Sequence, residues 1–165
     1  MRWSYRLRLL AVTGLGSGLI PFAPGTWGTL VGALWFIVAV QFSEPWATLL
    51  LATMILAACV ATVALGDWAE RHFGGKDPQR VVLDEVAGIL LTLLLFRDGV
   101  WWLSLLWAFT LFRILDIVKL PPARQAEKLP QGWGVLIDDL ISACYAAAIL
   151  WGIRWLAPSL FGLSP

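Results

Sequence analysis

Long apolar runs, separated by tight polar turns and longer polar loops, make up most of this chain. They predict five helices, at about residues 27–42, 46–66, 81–96, 101–116 and 135–156. The run 46–66 is long enough for a hydrocarbon core of ~30 Å, whereas runs of about sixteen residues reach roughly 24 Å at 1.5 Å per residue. The pattern predicts an all-α, polytopic membrane bundle of four to five apolar helices with loops at the cytoplasmic face.

The segments between these runs complete one predicted membrane-embedded domain over residues 1–165. Residues 1–12 are basic and amphipathic, which is typical of a helix at the membrane interface, and residues 13–26 form a loop rich in Gly and Pro. Longer polar loops are predicted at 67–80 and 117–134. Glycines and a proline interrupt the apolar stretch after the basic N-terminus, so we do not expect a cleaved signal peptide.

Composition agrees with a membrane protein. Hydrophobic residues make up 59% of the chain and charged residues 14%, whereas soluble domains are about half apolar and about a quarter charged. The net charge of +1 gives no reason to expect a nucleic-acid partner. Cys59 and Cys144 lie inside apolar runs, where cysteine behaves as a small hydrophobic residue, so neither a disulfide nor a zinc site is predicted.

Charge is distributed unevenly between the two ends of the predicted helices. Most of the eleven acidic and twelve basic residues fall on the side of the N-terminus and the two long loops. The exceptions are Glu44, Arg97, Asp98 and Arg154. The positive-inside rule places the charged side in the cytoplasm. Because the turns on the other side are short, neighbouring helices are antiparallel, and we expect their charged ends to meet at the cytoplasmic face.

Five acidic residues border the predicted helices on this side and are the leading candidates for chemistry. They are Asp84, Glu85, Asp116, Asp138 and Asp139. Unpaired carboxylates are costly in a membrane protein, and oxygen ligands of this kind suit Mg²⁺, which often bridges to phosphate. An acidic doublet at one helix start is more often a cap that stabilises the positive end of the helix. Two doublets and a fifth acid on one side favour a metal site instead.

Basic and small residues beside these acids indicate an anionic ligand. Arg113, Asp116 and Lys119 are spaced three apart, which puts them on one helical face if the helix continues through Lys119. The segment before the first apolar run contains Gly25 and Thr26. Thr26 can cap the helix, and free backbone N–H groups at such a start bind phosphate. An ordinary capped helix start explains this spacing equally well.

Several hydrolase classes lack their residues here. The sequence contains no G-x-S-x-G, no H-E-x-x-H, no Cys followed by Arg at the five-residue spacing of a cysteine phosphatase, and one histidine, His72. Metal-assisted chemistry without His or Cys remains. The alternative is a small transporter or channel with a carboxylate-lined cation site, whose acids would be spread through the depth of the bundle. A structural or partner-binding membrane subunit is a third interpretation.

Three blocks of the sequence resemble the phosphatidylglycerophosphatase A family. They are GSGLIPFAPGTWGTLVG at 16–32, DPQRVVLDEVAGIL at 77–90 and FRILDIVKLPPARQAEKLPQGWGVLIDDLISA at 112–143, together about two-fifths of the chain. The motifs that carry the resemblance are APGT, V-x-D-E-x-x-G, F-R-x-x-D-x-x-K and G-x-G-V-x-x-D-D, in that order. One departure is Leu120, since the family usually has proline directly after the lysine.

The resemblance implies a Mg²⁺-dependent, multi-pass enzyme of the bacterial inner (cytoplasmic) membrane. Such an enzyme removes the terminal phosphate of phosphatidylglycerophosphate to give phosphatidylglycerol, so its partners would be this substrate and membrane lipid, and no protein partner is inferred. The metal ligands expected at the matching positions are Asp84, Glu85, Asp138 and Asp139. The expected catalytic residues are Asp84, Glu85, Asp116 and Asp139, and the expected phosphate-binding residues are Gly25, Thr26, Arg113 and Lys119.

Overall fold

The computed structural model describes residues 2–130 and 132–164, and every regular element in this part of the chain is helical. The α-helices are α1 (Arg2–Val12), α2 (Pro24–Ala39), α3 (Trp46–Phe73), α4 (Leu83–Leu95), α5 (Trp101–Val118), α6 (Ala123–Ala126) and α7 (Gly132–Leu156). Two short 3₁₀ helices follow α1 and α7, at Ser17–Leu19 and Pro158–Phe161. The predicted all-α class is confirmed.

The third helix is longer than the apolar pattern predicts. α3 continues to Phe73, so the prediction of a polar loop over residues 67–80 is wrong for its first seven residues. Ala69 on this extension is buried in a small cluster with Val12 of α1, which gives the polar end of the helix an apolar face to pack. Gly74 follows the last residue of α3 and ends the helix with a φ of 80°, a conformation that glycine adopts without strain.

Two helices begin three residues earlier than predicted. α2 starts at Pro24, whose fixed φ suits the first helical position, and α7 starts at Gly132. Gly132 packs directly on α3, where a Cβ would come within 2.2 Å of the Thr62 carbonyl oxygen. The C-terminal end of α5 also differs from the prediction, because this helix continues two residues further, to Val118. The apolar runs therefore locate each helix, but proline and close backbone contact decide where it begins.

α4 is the centre of the bundle and packs against α2, α3, α5 and α7. Its Ile89, Leu90 and Leu93 are fully buried in the main hydrophobic core. Small residues let neighbouring helices approach closely, as is common in membrane proteins. At Gly88, for example, a Cβ would lie 2.4 Å from the ring of Phe112 on α5. The short fourth helix is therefore enclosed by longer ones.

Within the described residues, three helices are long and apolar enough to cross a membrane: α3, α5 and α7. α2 is a shorter apolar helix. Large tryptophan side chains are exposed near the helix ends, including Trp46, Trp101 and Trp155 at one end and Trp133 at the other. Tryptophan at these positions is typical of the two membrane–water interfaces. The chain is a polytopic membrane protein.

Candidate active site

One end of the bundle contains a cavity of about 360 Å³. It lies where α2, α4 and α7 begin and α5 ends, so segments far apart in sequence form its walls. The lining residues are Ala23, Pro24, Gly25, Asp77, Gln79, Val81, Asp84, Glu85, Arg113, Asp116, Lys119, Val135, Asp138 and Asp139. The structure thus brings together every site residue predicted from the sequence except Thr26.

Three carboxylates converge inside this cavity. Asp84 and Glu85 lie in the first turn of α4 and Asp139 lies on α7, and each offers one oxygen within 4.8 Å of the other two. Asp84 is 6% exposed and Asp139 is 4% exposed. One buried oxygen on each of the three (Asp84 Oδ1, Glu85 Oε2 and Asp139 Oδ2) has no hydrogen-bond partner among the described residues. Because buried anionic oxygens require compensation, this cluster is built for a cation or for protons.

Helix capping does not account for both acidic doublets. The residue that precedes α4 is Val82, and no side chain caps that helix. Asp138 and Asp139 are the seventh and eighth residues of α7, because that helix begins at Gly132. A carboxylate can cap free N–H groups only in the first turn of a helix, and both residues lie beyond that turn. The prediction that this doublet stands at the start of the helix is wrong, and its burial has another cause.

Arg113 and Asp116 form an ion pair across one turn of α5. Arg113 Nη1 donates to Asp116 Oδ2 at 2.6 Å, and both side chains are largely buried. The guanidinium also lies against the first turn of α2, since a Cβ on Gly25 would be 3.1 Å from both of its terminal nitrogens. The same Cβ would lie 2.3 Å from Glu85 Oε1. Gly25 is thus the residue that lets an arginine and a carboxylate approach the start of α2.

Lys119 does not share the helical face of Arg113 and Asp116. α5 ends at Val118, and Lys119 has a left-handed backbone with a φ of 51°, so the prediction of three charges on one face is wrong for Lys119. Its Nζ donates to Asp138 Oδ2 and to Glu127 Oε1, both at 2.6 Å.

These contacts fix the charge on the lysine. Burial opposes its protonation, but hydrogen bonds to Asp138 and Glu127 outweigh burial and raise the pKa of Lys119. A protonated Lys119 holds Asp138, whose other oxygen, Oδ1, accepts from the backbone N–H of Asp139 at 3.0 Å. The lysine therefore positions the second acidic doublet as well as facing the cavity.

Thr26 does not take the place that the sequence predicts. The residue that caps α2 is Ala23, in a left-handed conformation with a φ of 48°, and no side chain caps this helix. The N–H of Thr26 is bonded to the Ala23 carbonyl at 2.9 Å, and Thr26 does not line the cavity. The prediction that Thr26 caps α2 is wrong, because proline starts the helix two residues before it. Its role in phosphate binding stays a prediction.

Three further polar residues belong to this region and were not identified from the sequence. Asp77 and Gln79 line the cavity from the segment before α4, and Glu127 binds Lys119. Partial loss of solvent raises the pKa of Asp77, although the residue as a whole is exposed and the nearby Lys119 opposes the shift. Polar residues in loops are usually solvated, so only the folded backbone reveals that these three face the charged groups of the helices.

Comparison with known proteins identifies related chains. The family model "Phosphatidylglycerophosphatase A" matches residues 10–154. The "Putative phosphatidylinositol-3-phosphatase" of Bacteroides thetaiotaomicron is 39% identical over 90% of this chain and 94% of its own length. The "Phosphatidylglycerophosphatase A" of Haemophilus influenzae is 35% identical, covering 90% of this chain and 89% of the relative.

The protein of the same name from Escherichia coli is 34% identical over 94% of this chain and 88% of its own length. No solved structure matches the chain. The matched region contains all of the lining residues of the cavity. The chain therefore belongs to the phosphatidylglycerophosphatase A family.

Proposed function

We propose that this protein hydrolyses the terminal phosphomonoester of phosphatidylglycerophosphate and so produces phosphatidylglycerol for phospholipid biosynthesis. The observation that carries the proposal is the cluster of unpartnered, buried carboxylate oxygens on Asp84, Glu85 and Asp139 beside the Arg113 guanidinium. The names of the two relatives called phosphatidylglycerophosphatase A support the same substrate. In this reaction the bond from phosphorus to the glycerol oxygen breaks and that oxygen takes a proton. Water, which attacks phosphorus directly or hydrolyses an aspartyl-phosphate intermediate, supplies the new oxygen of the released inorganic phosphate.

The acidic cluster fits Mg²⁺. Three oxygens that lack partners and lie within 4.8 Å of one another offer the hard ligands that this ion prefers. Asp84, Glu85 and Asp139 would hold the ion, and Asp138, which Lys119 orients, is the fourth expected ligand. When bound, Mg²⁺ supplies positive charge that stabilises negative charge developing on the phosphate oxygens.

Arg113 and Asp116 are suited to bind and orient the reacting groups. The guanidinium of Arg113 faces the cavity, and its Nε is buried without a partner among the described residues. Planar guanidinium groups bind two phosphate oxygens at once, so Arg113 would neutralise the phosphomonoester. Asp116 uses Oδ2 to hold Arg113, and its carboxylate can also orient the attacking water and accept its proton. Gly25 leaves room for the phosphate-binding arginine at the start of α2.

The bilayer can supply the substrate directly to this site. The cavity lies at the ends of the apolar helices and on the side of the basic loops, which supports a position at the cytoplasmic face of the bacterial inner membrane. A lipid headgroup at that face is level with the cavity while its acyl chains remain in the hydrocarbon core. Inorganic phosphate would leave to the aqueous side.

A transporter accounts less well for the charges. Ion pairs hold the charges at the opposite end of the bundle, with Arg97 bound to Glu44 at 2.8 Å and Arg154 to Asp98 at 2.5 Å. Between the two ends, buried hydroxyls such as that of Thr92 bond to carbonyls of their own helix. The described spans thus offer no series of acids across the membrane, which a cation path would need.

Phosphatidylinositol 3-phosphate is a second candidate substrate, because the name of one relative refers to that lipid. The relative from Bacteroides thetaiotaomicron is named "Putative phosphatidylinositol-3-phosphatase" and is 39% identical to this chain. Both lipids carry a phosphomonoester on a phosphodiester headgroup, so the same metal cluster and arginine could serve either one. Selection between them would depend on the remaining walls of the cavity.

Phosphate release from defined lipids tests the proposal. Purified protein in mixed micelles is given phosphatidylglycerophosphate or phosphatidylinositol 3-phosphate, with Mg²⁺ or with a chelator. We expect Mg²⁺-dependent release that is faster from phosphatidylglycerophosphate, and Asp139→Asn should lose at least about a hundredfold of it because one cation ligand is removed. Equal release in the presence of chelator would refute the role of the metal. Faster release from the inositol lipid would assign the second substrate.

A further inference from the structure

An apolar groove of about 680 Å³ runs along the outside of the bundle between α2 and α5. Both helices pack on α4 and leave this space between them. Buried Ala33 lies in the floor of the groove, and the walls include Leu34, which is 63% exposed, and Leu106, which is 52% exposed. We call this feature the α2–α5 groove. Its position among apolar helices places it in contact with the hydrocarbon core of the bilayer.

The α2–α5 groove leads to the candidate active site. On α5, Phe109 lines the groove, and Arg113 and Asp116 line the cavity four and seven residues later, so all three share one helical face. On α2, Trp27 lines the groove one turn after Pro24, which lines the cavity. A charged cavity and an apolar groove therefore meet on the same two helices. This arrangement matches the two chemical parts of a phosphorylated lipid.

The length of the groove matches one lipid chain. Its lining on α2 extends from Trp27 to Ile37, which is about 15 Å at 1.5 Å per residue. A single leaflet contributes half of a hydrocarbon core of ~30 Å, or roughly the same distance. A chain that enters the groove at Trp27 would therefore reach its end near Ile37.

We propose that the α2–α5 groove binds one acyl chain of the lipid substrate while Arg113 binds the phosphate. This inference rests on the proposed phosphatase function. The chain moves from lipid into an apolar groove, so the hydrophobic effect contributes little to binding. The groove acts by position: it fixes the chain beside α5 and so aligns the phosphomonoester with the acidic cluster. Substrates whose chains do not fit the groove are aligned poorly and react slowly.

Two substitutions that fill the groove test this role. Ala33→Phe places a ring in the floor about 9 Å along α2 from Trp27 at 1.5 Å per residue, where it obstructs a palmitoyl chain but not a hexanoyl chain. Leu106→Trp narrows the groove from an exposed position on α5 and leaves the core unchanged. The controls Ala148→Phe and Leu56→Trp put the same side chains at exposed positions of α7 and α3 outside the groove. Leu56 also matches Leu106 in exposure, so Leu106→Trp and Leu56→Trp form the matched pair.

The measured quantity is the ratio of kcat/KM for dipalmitoyl substrate to kcat/KM for dihexanoyl substrate. Each groove variant should lower this ratio by about tenfold or more, since displacement of a reacting group by 1 Å can cost about a hundredfold in rate. The controls should keep the wild-type ratio. The inference is overturned if both groove variants keep the wild-type ratio, or if they lose activity equally on both substrates.

Labelling by a photoreactive chain gives a result that does not depend on turnover. Phosphatidylglycerophosphate that carries a diazirine in the middle of a palmitoyl chain should label α2 and α5 in the wild type. The substitution Ala33→Phe should remove that labelling. Equal labelling of every lipid-facing helix would overturn the inference even if the enzyme is active. In contrast, the phosphatase function itself would be refuted if the wild type released phosphate from neither the dipalmitoyl nor the dihexanoyl substrate, whatever the labelling shows.

Discussion

The substitution Gly25→Ala should disturb the active site and leave the stability of the fold nearly unchanged. The added Cβ would lie 2.3 Å from Glu85 Oε1, whereas an ordinary contact begins at 3.4 Å, so the carboxylate must move by about 1 Å. The two terminal nitrogens of Arg113, each 3.1 Å from that Cβ, must also shift slightly. A displacement of this size costs about a hundredfold in rate, or roughly 2.7 kcal/mol of activation free energy.

Stability should change little in the same variant. The atoms that must move are the ends of flexible side chains, and alanine is more favourable than glycine within a helix by about 1 kcal/mol. Gly152→Ala is the matched control, because a Cβ at Gly152 of α7 has no atom within 4 Å. We expect both variants to unfold at or above the wild-type temperature in detergent, and only Gly25→Ala to lose Mg²⁺-dependent phosphate release.

A second readout shows whether the acidic cluster is the part that moved. Displacement of Glu85 should raise the Mg²⁺ concentration that gives half-maximal activity as well as lower the maximal rate. Activity of Gly25→Ala within about twofold of wild type would refute the reasoning, since a movement of 1 Å at reacting groups is expected to be costly. Loss of folded protein in this variant, with a normal Gly152→Ala, would refute the argument that only side-chain ends adjust.

Other expectations follow from single contacts. Lys119→Met leaves Asp138 buried without its cation and should lower the free energy of unfolding in denaturant titrations by about 2–3 kcal/mol; an unchanged midpoint would contradict this. Burial raises the pKa of Asp77, so its ionised form disfavours folding above that pKa, and this cost disappears below the unfolded pKa of about 4. Asp77→Asn should therefore be slightly more stable than wild type at pH 7, because solvent at this exposed residue reduces the cost, and equally stable below about pH 4; a variant that is less stable than wild type at pH 7 would contradict the shift. Gly132→Ala forces a Cβ to within 2.2 Å of the Thr62 carbonyl oxygen, and thermal unfolding should show a loss of about 1–3 kcal/mol from overpacking; wild-type stability would show that α7 can move without cost.

Hydrophobic pattern and charge predict the positions of the acids well. Apolar runs of similar length joined by tight turns must alternate in direction, so the charged ends at Asp84, Arg113 and Asp139 had to lie on one side of the bundle. The structure places these residues around one cavity. The identities of the ligands and the metal are a further step, and they stay predictions that the proposed assays address.

The remaining features depend on backbone geometry that the pattern does not encode. Lys119 turns toward Asp138 because α5 ends one residue earlier, and the spacing of three alone would have kept it beside Asp116. Glu127 and Asp77 lie in loops, where the sequence carries no periodicity to indicate direction. Close contacts between elements that are distant in sequence decide all of these positions.

The shortness of α4 has a consequence for the membrane around the protein. A helix of thirteen residues reaches about 20 Å, so on its own it would either draw its charged end into the membrane or require the bilayer to become thinner there. α4 is instead surrounded by other helices, and its acidic first turn lines a cavity whose walls are protein. The lipid bilayer therefore need not deform around α4, and the phosphate of an incoming lipid enters a cavity whose walls the protein itself provides.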